Sequence, residues 1–182
     1  MKAEDVKTIA MIGAGDMGHG IAATCLMGGY KVILRDIEQK FVDKGVAGIK
    51  SSFDRFREKG KMTKEAYDDA FRRLVPVVDL QEAVKGADFI IEAVPEKVEL
   101  KKSVFAELDK FSPKHAILAS NTSNISISEI AKATRRPEKV IGYHFFNPAI
   151  LMKLVEVIKG NKTSDESIAV GYDIAKKINK VP

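Results

Sequence analysis

The stretch Met11-Ile12-Gly13-Ala14-Gly15-Asp16-Met17-Gly18-His19-Gly20 decides how this 182-residue chain folds. Gly13, Gly15 and Gly18 stand in a G-x-G-x-x-G spacing, directly after the apolar run at 6–12 and directly before the helix-like run at 21–27. The order is strand, tight turn, helix. Each glycine has its own role, since one turns the chain, one lets backbone approach a pyrophosphate and one packs helix on strand. A helix that opens there presents free N–H groups and the positive end of its dipole, so the loop Gly13, Ala14, Gly15, Asp16, Met17 and Gly18 is expected to cradle a diphosphate. Asp36 closes the next apolar run, 31–35, about 20 residues on, where an acceptor for a ribose 2′-hydroxyl belongs. A dinucleotide is the expected cofactor.

Composition narrows the classes. There are 30 Lys+Arg against 25 Asp+Glu, a net charge of +5, with the basic residues spread along the chain. That distribution argues against a nucleic-acid partner and suits a small anionic ligand. The single cysteine, Cys25, lies in the first helix beside Leu26 and permits no disulfide within the chain, which points to a reducing, intracellular setting. Residues 1–5 are charged and run straight into a strand, unlike a signal peptide, and no apolar run approaches the roughly 18 residues of a membrane span. A soluble, cytoplasmic protein with no membrane partner and no metal is expected, and the length suits one domain.

Along the chain, Val42, Val46, Ile49, Phe53 and Phe56 recur at steps of three and four, one apolar face of a helix ending near Lys59-Gly60. Gly45 and Gly48 inside it mark close packing or close ligand approach. A further helix is expected over 63–74 and a short strand over 75–78. Asp79 then caps a short helix. The run Phe89-Ile90-Ile91-Glu92-Ala93-Val94 shows continuous apolarity rather than alternation but for Glu92, which indicates a strand buried on both faces in a parallel sheet. The next helix is expected to place Leu100, Val104, Leu108 and Phe111 inward, and 116–120 reads as another strand. Ser126 with Glu129, and Thr163 with Glu166, read as capping boxes of two later helices, the last with Ile168, Gly171, Ala175 and Ile178 inside. Between them lie strands at 140–144 and 154–158. Strands alternating with helices predict an α/β fold of the Rossmann type, doubly wound, with a largely parallel sheet and helices on both faces. The distinctive polar clusters then all fall at the carboxyl edge of that sheet.

The three histidines differ. His19 and His115 read as solvated positions. His144 ends an apolar strand, and Glu156 interrupts the apolar run at 154–158; a carboxylate within a buried strand needs a partner. Strand, turn and returning strand can bring the two together. A carboxylate beside an imidazole orients it and stabilises the imidazolium formed when a base takes a proton. The alternative is that Glu156 pairs with Lys153 or Lys159 and His144 is a satisfied core residue. Ser123 and Asn147 are the neutral donors nearby, and Ser120-Asn121-Thr122-Ser123 reads equally as an ordinary loop that caps a helix.

The motifs G-A-G-D-M-G-H-G-I-A from Gly13, E-A-V-P-E from Glu92, S-N-T-S from Ser120, H-F-F-N-P-A from His144 and M-K-L-V-E-V-I-K-G from Met152 together resemble the NAD-binding domain of the L-3-hydroxyacyl-CoA dehydrogenases, including the 3-hydroxybutyryl-CoA enzymes. The resemblance implies NAD as cofactor, an acyl-CoA substrate of fatty-acid metabolism, His144 as general base for the 3-hydroxyl, and Glu156 as its partner. It further implies that Ser123 touches the substrate oxygen or the nicotinamide side and that Asn147 holds the loop near the cofactor. Asp36 then takes the adenine ribose and favours NAD over NADP, while Arg35 beside it is a cation that would suit NADP. Glu96 and Lys101 match cofactor-contacting positions, and Ser52 and Lys59 match positions that hold CoA. The chain departs from the family pattern at Asn124, Pro95 and Ile150-Leu151, none of which removes chemistry. The family also carries an all-helical domain that covers the acyl chain and makes a homodimer. It is absent from this sequence, so residues 1–182 are expected to be the NAD-binding domain, weakly active or inactive alone. A non-catalytic NAD-binding module and a hydroxyacid or sugar-acid dehydrogenase are the competing readings.

Overall fold

The apolar runs become the seven strands of one sheet in the computed structural model, which describes Met1–Pro182. In chain order these are β1 (Thr8–Ile12), β2 (Lys31–Arg35), β3 (Leu74–Val77), β4 (Phe89–Glu92), β5 (Ile117–Ser120), β6 (Val140–Phe145) and β7 (Val155–Lys159). The helices are α1 (Asp16–Met27), α2 (Gln39–Glu58), α3 (Lys64–Arg72), α4 (Leu80–Val84), α5 (Val98–Phe111), α6 (Ile127–Ala131) and α7 (Asp165–Lys177). The strands lie in the order β3-β2-β1-β4-β5-β6-β7, parallel except for β7, which runs antiparallel to β6. The order reverses beside β1, and the crevice outside the carboxyl ends of β1 and β4 is where such sheets bind ligands. This is the doubly wound Rossmann-type architecture.

Strand alternation builds two cores. Ile9 and Met11 of β1 face one layer, with Ile21 and Leu26 of α1, Ile49 and Phe53 of α2, and Ile174 of α7. Ala10 and Ile12 face the other, with Val84 of α4, Phe105 and Leu108 of α5, and Ile130 of α6. β4 and β5 are buried at every position, as interior parallel strands covered by helices on both faces must be.

Several local readings change. Leu74 belongs to β3, not to the preceding helix. In α5 the buried residues are Lys101, Phe105 and Leu108, while Leu100 is exposed. The helix is rotated because Lys101 has a buried acid to reach. Thr163 does not cap α7: its hydroxyl donates to Val140 O (2.6 Å), and Ser164 is the cap, accepting from Ser167 N. Inside α7, Val170 and Ile174 join Gly171 and Ala175, with Ile168 half-buried. β7 is an edge strand whose Glu156 is exposed, not a buried strand with a carboxylate inside it. No helix is long and apolar enough to cross a membrane.

Candidate active site

The three glycines of the loop are distinguished by what surrounds them. Gly13 has φ +100°, and a Cβ there would stand 2.7 Å from the Ala93 carbonyl oxygen on the neighbouring β4 side. A Cβ on Gly18 would stand 1.8 Å from Gly13 O, so only glycine lets α1 seat on the loop. Gly15 is the opposite case: a Cβ added there meets nothing within 4 Å. It caps α1, and His19 N–H closes the first helical bond onto Gly15 O at 2.9 Å. The amides of Gly15, Asp16, Met17 and Gly18 therefore find no acceptor within the chain, and the space beside Gly15 is open. These unpaired donors at the positive end of a helix dipole fit a diphosphate.

Asp36 stands beside the loop at the end of β2. One carboxylate oxygen accepts from Ala14 N (2.7 Å) and the other from Ile37 N (2.7 Å), which ties β2 to the turn. Arg35 points away, its Nε donating to Val78 O at 2.8 Å. The acid, not the cation, faces the loop, and a ribose diol is the group an acid there suits.

His144 and Glu156 are direct partners in the β6–β7 ladder. His144 Nδ1 lies 2.8 Å from Glu156 Oε2, and His144 Nε2 lies 3.2 Å from Ser123 Oγ. Lys159 pairs with Asp165, not with Glu156. The end of β6 is tied to the Ser123 loop by Phe145 N, which donates to Asn121 Oδ1 at 2.8 Å. The imidazole side chain is 16% exposed and its carboxylate 49%, so the ring is sheltered while its partner borders solvent.

Behind Ser123 lies a polar network. Glu92 is fully buried and accepts from Lys101 Nζ (2.6 Å), Val94 N (2.7 Å) and Ser120 Oγ (2.7 Å). Lys101 is 1% exposed, and its ammonium also donates to Val94 O (3.2 Å) and lies 3.3 Å from Glu96 Oε2. Its donors are thus spent inside the protein, and it has no surface to offer a cofactor: Lys101 holds Glu96. Glu96 in turn accepts from the Thr122 hydroxyl and from the amides of Ser123 (3.0 Å) and Asn124 (3.2 Å). Partial burial pushes the Glu96 carboxyl up, but the Thr122 hydroxyl, the Asn124 amide, the Lys101 charge and the Ser123 amide outweigh it and hold the group below the ordinary glutamate range. Sequence reading missed Glu92, although the signal was there: it is the carboxylate that sits in a buried strand and needs a partner.

The remaining candidates make no side-chain hydrogen bond to this cluster. Ser52 and Lys59, seven residues and so two turns apart, lie on one flank of α2, Ser52 Oγ donating to Gly48 O (3.0 Å) and Lys59 forming the exposed C-cap. Neither hydrogen-bonds to Ser123, His144 or Glu156. Asn147 is exposed in the β6–β7 connection. His19 is half-buried: its ring packs so closely on α2 that a Cβ at Gly48 would stand 2.7 Å from it, while Nδ1 meets Gly15 O at 2.9 Å. Gly45 likewise meets Ala14 of the loop, so both glycines of α2 let it pack closely, one on the loop and one on α1. His115 pairs with Asp88 at 2.9 Å and is half exposed.

Comparison with known proteins identifies the family. The family described as 3-hydroxyacyl-CoA dehydrogenase, NAD binding domain, matches residues 8–182. The chain is 42% identical over 178 residues to a 3-hydroxyadipyl-CoA dehydrogenase of Escherichia coli K12, covering 98% of this chain and 37% of that protein. It is 40% identical over 177 residues to a glyoxysomal fatty acid beta-oxidation multifunctional protein of Brassica napus, covering 97% of this chain and 24% of that one. The crystal structure of (S)-3-hydroxybutyryl-CoA dehydrogenase PaaH1 from Ralstonia eutropha superposes with a TM-score of 0.95 at 39% identity, over 98% of this chain and 62% of that one. The chain thus spans from about a quarter to three-fifths of the length of these relatives. With its unpaired loop amides and Asp36 turned toward them, it belongs to the 3-hydroxyacyl-CoA dehydrogenase family and corresponds to the domain that binds NAD.

Proposed function

We propose that residues 1–182 are the cofactor-binding domain of an NAD-dependent 3-hydroxyacyl-CoA dehydrogenase and carry its proton-transfer group. The observation that supports this reading is the continuous chain Ser123 Oγ, His144 Nε2, His144 Nδ1, Glu156 Oε2, at 3.2 and 2.8 Å, on the sheet edge that also holds the glycine loop. NAD, when bound, supplies the acceptor for the hydride that leaves carbon 3 of the substrate. His144 Nε2 accepts the proton of the 3-hydroxyl, and Ser123 Oγ hydrogen-bonds the same oxygen. Glu156 keeps the imidazole in one orientation and balances the charge it gains. In reverse, His144 returns the proton. Gly15 to Gly18 hold the diphosphate, Asp36 the adenine ribose, Glu96 and Asn147 border the cofactor, and Ser52 and Lys59 hold the CoA moiety.

On this reading the acyl-covering helical domain and the homodimer contacts of the family lie outside these residues, so the chain alone binds NAD and turns acyl-CoA over poorly. The test is NADH formation from 3-hydroxybutyryl-CoA by the chain alone and with a relative's helical domain added in trans. Slow formation alone, restored in trans and abolished by His144→Ala, is the expected result. Silence under both conditions, with NAD still bound, favours a non-catalytic NAD-binding module.

A further inference from the structure

Ser123, His144 and Glu156 also have the makings of a different catalyst. A hydroxyl bonded to an imidazole, itself bonded to a carboxylate, is the nucleophile, base and orienting acid of a serine hydrolase, and such constellations are recognised by geometry, not by fold. Ser123 is exposed, so its hydroxyl is reachable. A hydrolase further needs an oxyanion hole, usually including the amide of the residue after the nucleophile. Here that amide, Asn124 N, and the amide of Ser123 itself converge on a single atom, Glu96 Oε1, at 3.2 and 3.0 Å. The carboxylate is locked in this position by the Thr122 hydroxyl on the same oxygen and by Lys101 Nζ, 3.3 Å from Oε2. Lys101 is itself anchored on buried Glu92.

We infer that Glu96 disarms Ser123: its carboxylate fills the oxyanion-binding nest, so the Ser–His–Glu constellation does not attack the thioester of a bound acyl-CoA, and emptying the nest turns the site into an acyl-CoA hydrolase. In that latent reaction Ser123 Oγ gives its proton to His144 Nε2 and bonds to the thioester carbonyl carbon. The C–S bond breaks, and the thiolate leaves with the proton from His144. Water then cleaves the seryl ester by the same proton route, so acyl-CoA and water become carboxylic acid and free CoA. A carboxylate in the nest blocks this twice, by occupying the donors and by repelling the oxyanion. The choice of acyl-CoA as the protected substrate rests on the proposed dehydrogenase function. The constellation and its plug do not.

The test uses two acyl donors that lack a 3-hydroxyl and so cannot be oxidised, p-nitrophenyl acetate and butyryl-CoA. Acyl transfer is read as nitrophenol or CoA thiol release and as an acyl adduct mapped to Ser123 by mass spectrometry. Glu96→Ala is expected to raise both rates over the unaltered chain by about a hundredfold or more, the scale of one or two oxyanion donors, with the gain lost in Glu96→Ala/Ser123→Ala. Glu96→Ser, which also empties the nest, serves if Glu96→Ala does not fold by circular dichroism. A folded variant with no Ser123-dependent gain overturns the inference, as does an unaltered chain that already acylates Ser123 at the variant's rate. Because neither donor is a dehydrogenase substrate, these outcomes are independent of whether the chain supports hydride transfer.

Discussion

His144 and Glu156 are placed opposite each other by strand register alone. β7 turns back antiparallel to β6, and residues 144 and 156 become ladder partners with Nδ1 2.8 Å from Oε2. Side chains alternate along strands, so a one-residue slip would send Glu156 to the other face of the sheet. The contact therefore has an all-or-none character.

Removal of either group should separate chemistry from binding. In single-turnover NADH formation with 3-hydroxybutyryl-CoA, His144→Ala and Glu156→Gln are each expected to slow the step by about 10²–10⁴-fold, the range of a positioned base. NAD affinity, measured by calorimetry, should stay within about twofold because neither group belongs to the glycine loop. A loss of NAD affinity matching the loss of rate would refute this division.

The glycine loop offers a contrast within one motif. Gly18→Ala forces a methyl to 1.8 Å from Gly13 O and should destabilise the fold by about 3 kcal/mol or more, the upper end of overpacking costs. Gly15→Ala meets nothing within 4 Å and should cost less than about 1 kcal/mol, the scale of a helix-cap change. Yet it should weaken NAD binding about tenfold, because its methyl fills open space on the residue that carries one of the unpaired amides. Urea denaturation and NAD titration of the two variants decide the matter. Equal stability losses would count against it.

Cofactor choice should follow Asp36 and ignore Arg35. Asp36→Ala removes the acid next to the loop and is expected to raise the Kd for NAD about tenfold while leaving NADP little changed, bringing the two closer. Arg35→Ala should leave the ratio of the two affinities within about twofold, since the Arg35 guanidinium is engaged with Val78 O. A large change in the ratio for Arg35→Ala would show that the arginine reads the cofactor after all.

Alkaline stability carries a signature of Cys25. Burial pushes its thiol up to about 12, against the smaller opposing pull of the Lys180 charge, whereas an unfolded thiol ionises near pH 8.5. The folded value is raised, so this contribution is fully present below about pH 8.5 and is lost as pH rises toward about 12. Tyr30, also raised to about 12 by burial, begins to act only near its unfolded value of about 10. The stability gap between the unaltered chain and Cys25→Ala should therefore narrow from about pH 8.5 upward. A gap that stays constant to about pH 10 would place Cys25 in a far less secluded environment.

Local patterning carried much of the architecture. Gly13, Gly15 and Gly18 between a strand and a helix, the apolar runs of β1, β4 and β5, and Asp36 at the end of β2 are features of contiguous residues whose spacing alone implies their conformation, and with it the class of fold and the cofactor. What the tertiary structure decided were contacts between distant segments. Leu100 and Lys101 are neighbours on α5, and only the presence of buried Glu92 on β4 determines that the lysine turns inward and the leucine out. Glu156 reads as a buried carboxylate and is exposed, because whether a strand lies inside a sheet or at its edge depends on strand order, which hydrophobicity does not encode. Glu96 reads as a cofactor contact, and its partners are the Thr122 hydroxyl and the Ser123 and Asn124 amides, reached only when the β4 and β5 loops meet at one edge. Periodicity sets which elements form; register, helix rotation and strand order, which depend on the whole packed core, set which of their side chains meet.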